Sequence, residues 1–271
     1  MPATCHFFFK FMANYTLISS RSVSIVAMLF ISACATDVQL DPRQGAPSVK
    51  VQNKSLDPSN GGELVSEKAL RAGDIILSAA NGINSAGIRA ITLSPVSHAA
   101  LYLGKGQVIE AIGSGVRQRS IQEFIAEEAT IAVFRHPKLD GVQAALIQKF
   151  AEKHVGTKYN TAGIVLQAPF TLERKLCELP IMPALVRDAC IRGIAAIQLG
   201  PVPNDQFFCS QFIIEAYKTA GLPLTDADPR LVTPGDLLHM RQGDVPSIKI
   251  HQALQYVGHL KAPPVQISSI Q

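Results

Sequence analysis

A thiol that attacks a carbonyl needs a base beside it and a third group to orient that base. Three residues of this chain fit those roles. His98 lies in Ser97-His98-Ala99-Ala100-Leu101-Tyr102-Leu103, Glu110 in Val108-Ile109-Glu110-Ala111-Ile112, and Cys209 in Phe207-Phe208-Cys209-Ser210-Gln211-Phe212. Each is flanked by apolar residues. A carboxylate buried in a strand costs several kcal/mol unless it is paired, and a histidine on the neighbouring strand is a natural partner. Singly, each residue also has a plain structural reading: a core thiol, a structural histidine, a solvating glutamate on an edge strand. Read together, they propose a division of labour. Cys209 attacks, His98 takes and returns the proton, and Glu110 orients the imidazole and stabilises its charged form.

Hairpin parity tests the His98–Glu110 pair. Val96–Leu103 and Gln107–Ile112 are apolar runs separated by Gly104-Lys105-Gly106, a hairpin signal. A three-residue loop sets Leu103 opposite Gln107 and Ala100 opposite Glu110. His98 and Glu110 then share a face as diagonal neighbours, ~7–8 Å apart at Cα. A two-residue loop puts them on opposite faces, so the pairing requires an odd-length loop or a bulge that restores parity. Cys209 needs a different support. Asp205 can cap a helix from about Gln206 to Ala220, closed by Gly221 and Pro223, with an apolar stripe of Phe208, Phe212, Ile213, Ala216 and Ala220. Near a helix start, free N–H groups and the macrodipole favour thiolate. The Cys209 backbone N–H is a candidate oxyanion donor; the second donor is not identified.

The remaining elements build a platform for these residues. Ile75-Ile76-Leu77 after Gly73-Asp74 reads as a short buried strand, and Asn81–Thr92 as a short helix. Gly115–Arg119 extends the sheet. Ser120-Ile121-Gln122-Glu123 is a capping box that opens a helix to about Glu128. Thr130–Phe134 is a further strand. Asp140–Val155 is a helix with its stripe at Val142, Leu146, Ile147 and Phe150, ended by Gly156. Ile248–Val257 is a last strand. Thr161–Pro203, rich in Leu, Ile and Ala and broken by prolines, reads as a helical insertion. The fold class expected is α+β, a small, mostly antiparallel sheet packed against helices.

Composition narrows the function. The chain has 271 residues, 47% of them hydrophobic and 17% charged, enough for a substantial core and too apolar to be disordered throughout. Net charge is +4 with no basic run, which gives nucleic-acid binding little support. The five cysteines form no CxxC pair, so neither a disulfide scaffold nor a zinc site of the usual spacing is expected, and no metal or cofactor is assigned. Residues 1–33 hold Lys10 and Arg21 and no acid, and Val23–Ala33 is a short apolar run suited to a signal peptide rather than a span. Met12 gives a tidier start than Met1. Removing residues 1–33 takes 25 basic residues to 23 against 21 acids, a nearly neutral mature chain. Residues 34–62 read as a flexible tether and 63–271 as the catalytic domain, with the insertion at about 161–203. Cys177 and Cys190 both lie in that insertion and are expected to pair as a disulfide in an oxidising compartment, against the alternative of two buried free thiols.

Two resemblances complete the reading. Ile31-Ser32-Ala33-Cys34 resembles a bacterial lipoprotein lipobox, which implies cleavage before Cys34 and lipidation of its thiol; an ordinary secretory signal with an incidental cysteine is the alternative. Ala35 rather than Asp after Cys34 implies, by resemblance to Gram-negative sorting, an outer-membrane anchor facing the periplasm. Leu70-Arg71-Ala72-Gly73-Asp74-Ile75-Ile76-Leu77, Ser97–Gly104, Val108–Ala111 and Cys209-Ser210-Gln211-Phe212 resemble the circularly permuted papain-like amidases, the YiiX/YaeF-like branch of the NlpC-type cysteine hydrolases. There His precedes Cys in the chain, as here. The resemblance, over about Leu70 to Gly221, implies a permuted papain-like core with catalytic Cys209, His98 and Glu110. Gly156-Thr157-Lys158-Tyr159-Asn160 resembles the family's Gly-x-x-Tyr-Asp element, with Asn160 in place of the acid, and places Tyr159 at the substrate site. The function expected is an envelope lipoprotein that cleaves an amide between a lipid and an amino acid or peptide. Alternatives are a peptidoglycan stem-peptide amidase or endopeptidase, acyl transfer in place of hydrolysis, and a non-catalytic lipid-binding lipoprotein.

Overall fold

The computed structural model describes residues 35–40, 47–57, 62–80, 82, 85, 86, 89, 94–158, 173, 174, 176–178, 182–199 and 207–262. The signal peptide, Cys34, Tyr159, Asn160, Asp205 and most of the helix expected at Asn81–Thr92 lie outside these residues. Among the described residues the strands are β1 (Thr36–Leu40), β2 (Pro47–Val51), β3 (Ile75–Ala80), β4 (His98–Gly104), β5 (Gln107–Ile112), β6 (Gly115–Ser120), β7 (Glu128–Arg135) and β8 (Gln255–Lys261). The α-helices are α1 (Ile121–Glu127), α2 (Gly141–Lys153), α3 (Ala184–Leu199), α4 (Cys209–Thr219) and α5 (Pro234–His239). β1 and β2 form a separate hairpin. The other six strands make one antiparallel sheet in the order β6-β5-β4-β3-β7-β8. The class is therefore α+β, as the sequence predicts.

The central strands are apolar on both faces because both faces are covered. Ile75, Leu77, Ala99, Leu101, Ile109, Ala132 and Phe134 pack with Ile147 and Ala151 of α2 and Phe212, Ile213, Ala216 and Tyr217 of α4. On the other face Ile76, Ala100, Tyr102, Val108, Ile131 and Val133 pack under Ile121 and Phe124 of α1. Alternation along β3 and β4 assigns successive residues to these two clusters. Helix α1 begins at the expected capping box: Ser120 Oγ accepts from the Glu123 N–H, and the Glu123 carboxylate accepts from the Ser120 N–H.

Several expectations are corrected. The α2 stripe is displaced: Ala144, Ile147 and Ala151 are buried, whereas Val142 and Leu146 are exposed. Two alanines on the inner face let this helix approach α4 closely, which small residues permit and a count of large apolar residues does not reveal. α2 ends at His154, and Gly156 instead takes a positive φ while its N–H bonds to Val116 O. α4 starts at Cys209 and not at Gln206, with Phe208 as its N-cap and no side-chain cap. The last strand is Gln255–Lys261, not Ile248–Val257: Ile250 and Leu254 each make a single bridge before the chain joins β7. The tether reading is corrected for the described residues 35–40 and 47–57, which are paired or docked. Gln52 Nε2 donates to Val245 O at 2.9 Å, Leu56 is buried in the core, and the Arg241 guanidinium donates to the carbonyls of Asn53, Ser55 and Leu56. These anchors are polar contacts to backbone, which leave no apolar periodicity in the sequence.

The insertion is docked where it is described. Arg174 makes paired hydrogen bonds to Asp236 at 2.8 and 2.6 Å and also donates to Glu178. Cys177 and Cys190 are joined as a disulfide, with their Cα atoms 5.7 Å apart. None of the helices among the described residues is long and apolar enough to cross a membrane.

Candidate active site

The β4–β5 hairpin fixes the first two residues. Lys105 and Gly106 form a two-residue turn with positive φ at both positions, the geometry that matches strand twist. Such a turn alone would put His98 and Glu110 on opposite faces. A bulge at Leu103 restores parity: Gly104 pairs with Gln107, Tyr102 with Val108, and Ala100 with Glu110. The Ala100–Glu110 pairing is the one expected, although Gly104, not Leu103, faces Gln107. Gly104 takes φ +88 at this bulge, a conformation that costs a non-glycine residue.

His98 Nε2 then meets Glu110 Oε2 at 2.6 Å. Glu110 is 1% exposed and its other oxygen is fully engaged. Arg117 Nε donates to Oε1 at 2.9 Å, and Arg119 Nε lies 2.7 Å from the same atom as an ion pair. Phe124 of α1 stacks beside the His98 ring, 6.3 Å between centroids, and carries the Arg119 guanidinium over its face. Imidazole, carboxylate and guanidinium are thus held by packing as well as by charge.

Cys209 comes to this pair from the opposite direction. It is the first residue of α4 and is nearly buried. Its side chain comes close enough to the His98 imidazole to act on its protonation. Because Nε2 is held by Glu110, Nδ1 is the ring nitrogen left for the sulfur. The Cys209 N–H stands at the N-terminus of α4, where an α-helix leaves its N–H groups without intrahelical acceptors and the N-cap Phe208 offers no side-chain cap. It is the donor placed to meet a developing oxyanion at the carbon the sulfur attacks.

Electrostatics follow from these contacts. Burial acts to lower the His98 pKa, but hydrogen bonds to Cys209 and Glu110 and the field of both groups outweigh it and push His98 up to about 10. Burial likewise opposes the Glu110 carboxylate. The hydrogen bond and charge of His98, the Arg119 charge and the Arg117 hydrogen bond overcome it and bring Glu110 down to about 2. Glu128, at the start of β7, is a second buried carboxyl in this field. Burial raises its pKa, opposed by His98 and by Ser78.

The structure brings Cys209, His98 and Glu110 together. Tyr159 and Cys34 lie outside the described residues. Sequence reasoning missed Arg117, Arg119 and Glu128. The first two had a signal: Arg117-Gln118-Arg119 alternates, and Arg117 pairs directly with Glu110 across β5 and β6. Among the described residues no three His, Cys, Asp or Glu side chains cluster to hold a metal ion.

Residues 69–165 match the family described as permuted papain-like amidase enzyme, YaeF/YiiX, C92 family. Over 246 residues the chain is 37% identical to the probable lipoprotein peptidase YaeF of Escherichia coli strain K12, covering 87% of this chain and 90% of that one. The crystal structure of metalloprotein yiiX from Escherichia coli O157:H7 is similar with a TM-score of 0.42 and 17% identity, over 72% of this chain and 98% of that one.

Proposed function

The chain belongs to the permuted papain-like amidase family, and on that premise we propose that it is an envelope lipoprotein that cleaves an amide between a lipid and an amino acid or peptide through Cys209, His98 and Glu110. The observation that carries the reading is the meeting of a helix-terminal cysteine with a histidine whose far nitrogen is fixed by a buried glutamate. A protein that only bound lipid would have no use for that arrangement.

In the proposed cycle the Cys209 sulfur attacks the amide carbonyl while the imidazole holds the proton. The C–O electrons move onto oxygen, and the Cys209 N–H at the start of α4 receives that charge. Collapse breaks the C–N bond, and His98 protonates the departing amine, leaving a thioester on Cys209. Water then gives His98 a proton as it attacks the thioester; the acid departs, and the proton is again shared between His98 and sulfur. Glu110 neutralises the imidazolium and keeps Nδ1 aimed at sulfur throughout. Export by residues 1–33, lipidation at Cys34 and an outer-membrane position facing the periplasm are part of this reading. The lipobox-like Ile31-Ser32-Ala33-Cys34 and the similarity to a protein named as a lipoprotein peptidase support them.

Incubation with N-acyl amino acids and, in parallel, with muropeptides tests the substrate by mass spectrometry. Release of free fatty acid and amino acid by the wild type but not by Cys209→Ala supports the reading. Cleavage of stem peptides alone, by the same residue, would replace the lipid substrate with peptidoglycan. Equal products from wild type and Cys209→Ala would refute the thiol mechanism.

A further inference from the structure

The β1–β2 hairpin carries a surface the catalytic reading does not use. Val38 and Val49 are a directly opposed cross-strand pair, and Val51 follows two residues on, so all three side chains share one face. All three are exposed, Val38 by 63% and Val49 by 64%. The opposite face carries Asp37, opposed to Lys50, and Ser48. The hairpin is thus amphipathic, and the face that would ordinarily be buried meets solvent. An isolated two-stranded ribbon is marginal in water and gains from a covering layer.

Its base is rigidly held. The Arg187 guanidinium donates to Thr36 O at 2.8 Å and to Pro246 O at 3.0 Å, and the Gln52 N–H bonds to Ala35 O at 2.8 Å. Beside Arg187 in α3, Leu185 and Val186 are also exposed. The chain position adds the decisive constraint. Val38 is four residues after Cys34, and four fully extended residues span at most about 14 Å. Acyl chains on Cys34 therefore keep Val38 within about 14 Å of the anchored residue, close enough for its face to reach the headgroups.

We propose that the Val38–Val49–Val51 face of the hairpin is a membrane-docking surface that lies in the interface of the bilayer holding the Cys34 acyl chains. The proposal rests on the lipoprotein reading above. The lipid supplies the anchor, and the hairpin face supplies a second contact, which fixes the orientation of the catalytic domain. Interfacial apolar faces of this kind sink about 5–10 Å into the headgroup and acyl boundary.

The chain has no tryptophan, so Val49→Trp provides a single fluorescent probe. The full chain is expressed in a Gram-negative host, purified in detergent, checked for acyl mass, and reconstituted into phosphatidylethanolamine and phosphatidylglycerol vesicles. Some of the vesicles carry lipids brominated near the top of the acyl chain. The expected result is a blue shift of Val49→Trp on reconstitution and loss of its emission to brominated lipid. Val142→Trp, on the exposed side of α2, is expected to show neither. Val38→Trp serves as a second probe of the same face.

Equal, weak quenching of Val49→Trp, Val38→Trp and Val142→Trp in acylated protein would overturn the docking face and leave the lipoprotein reading intact. A chain recovered without acyl mass would overturn the lipoprotein reading, and the docking face with it. Emission already blue-shifted in detergent, together with a dimeric mass, would overturn the proposal by showing that a second copy covers the face.

Discussion

Glu110→Gln preserves the shape of the side chain that holds His98 and removes only its charge. In the wild type the carboxylate meets His98 Nε2 at 2.6 Å and Arg117 Nε at 2.9 Å in a nearly fully buried setting. The rise of His98 from 6.5 to about 10 corresponds to about 5 kcal/mol of preference for imidazolium, at ~1.4 kcal/mol per pH unit. Burial opposes that preference, and Cys209 supplies only part of what overcomes it. An opposed charge at this distance is worth about 1–3 pH units, so Glu110→Gln is expected to lower the His98 pKa by that amount. The sign is definite: the alkaline limb of Cys209 alkylation and of turnover moves to lower pH. Turnover itself is expected to fall by about 10²–10⁴-fold, the range for a misdirected general base. NMR titration of labelled imidazole, with alkylation rates of Cys209 read by intact mass, measures both quantities. An alkaline limb that stays in place in Glu110→Gln would refute the reasoning, because His98 would then owe its charge to something other than Glu110.

Four further outcomes follow from the same contacts. The stabilisation from ionised His98 is fully present below about pH 6.5 and lost as pH rises through about 10. That from Glu110 is fully present above about pH 4.5 and lost as pH falls through about 2. The wild type should therefore gain most from the pair between those limits, and thermal melts of wild type and Glu110→Gln across pH should diverge most there and draw together as pH falls towards 2, where Glu110 loses its charge. Phe124→Ala opens a cavity beneath His98 and Arg119 and is expected to cost about 3–5 kcal/mol, read as a fall in chemical-denaturation midpoint. A wild-type midpoint would mean that α1 does not pack as described. Reduction of Cys177–Cys190, whose separation is 13 residues, should remove about 3 kcal/mol and add two alkylated thiols to the intact mass. Two alkylated thiols at these positions without reductant would exclude the bond. Ser120→Ala removes one half of the α1 capping box and should cost about 1 kcal/mol in the same denaturation assay, with no change in the pH profile of alkylation.

The His98–Glu110 meeting is legible in the sequence because alternation leaves few registers. Every second register, among them Ala100 opposite Glu110, keeps both polar residues on one face, and the short Gly104-Lys105-Gly106 connection selects that one. Which residue bulges is not legible, since Leu103 and Gly104 both satisfy the parity argument, and positive φ at Gly104 decides it. Cys209 at a helix start is legible as a neighbourhood but not as a position. The apolar stripe runs on through Phe208, and the extended backbone of Phe208 (φ −104, ψ 167) sets the first helical residue at the thiol. Arg117 and Arg119 escape a reading that treats β6 as a sheet extension, because an arginine on an edge strand looks like solvation until a buried carboxylate is placed opposite it. The hairpin and the Gln52–Leu56 segment escape for a related reason. They are held by guanidinium and amide donors to backbone carbonyls, contacts that impose no period on the sequence. α2 is the reverse case: its largest apolar residues are partly on the outside, and two alanines make the contact.

Trapping the covalent intermediate is the most direct test of the account. The wild type is quenched in acid during turnover of a slow N-acyl substrate and digested, and the peptide containing Cys209 is weighed. The account predicts an added acyl mass on Cys209 that is sensitive to hydroxylamine, absent in Cys209→Ala, and strongly reduced in His98→Ala. Product formation by the wild type with no acyl mass on Cys209, and undiminished in Cys209→Ala, would contradict it.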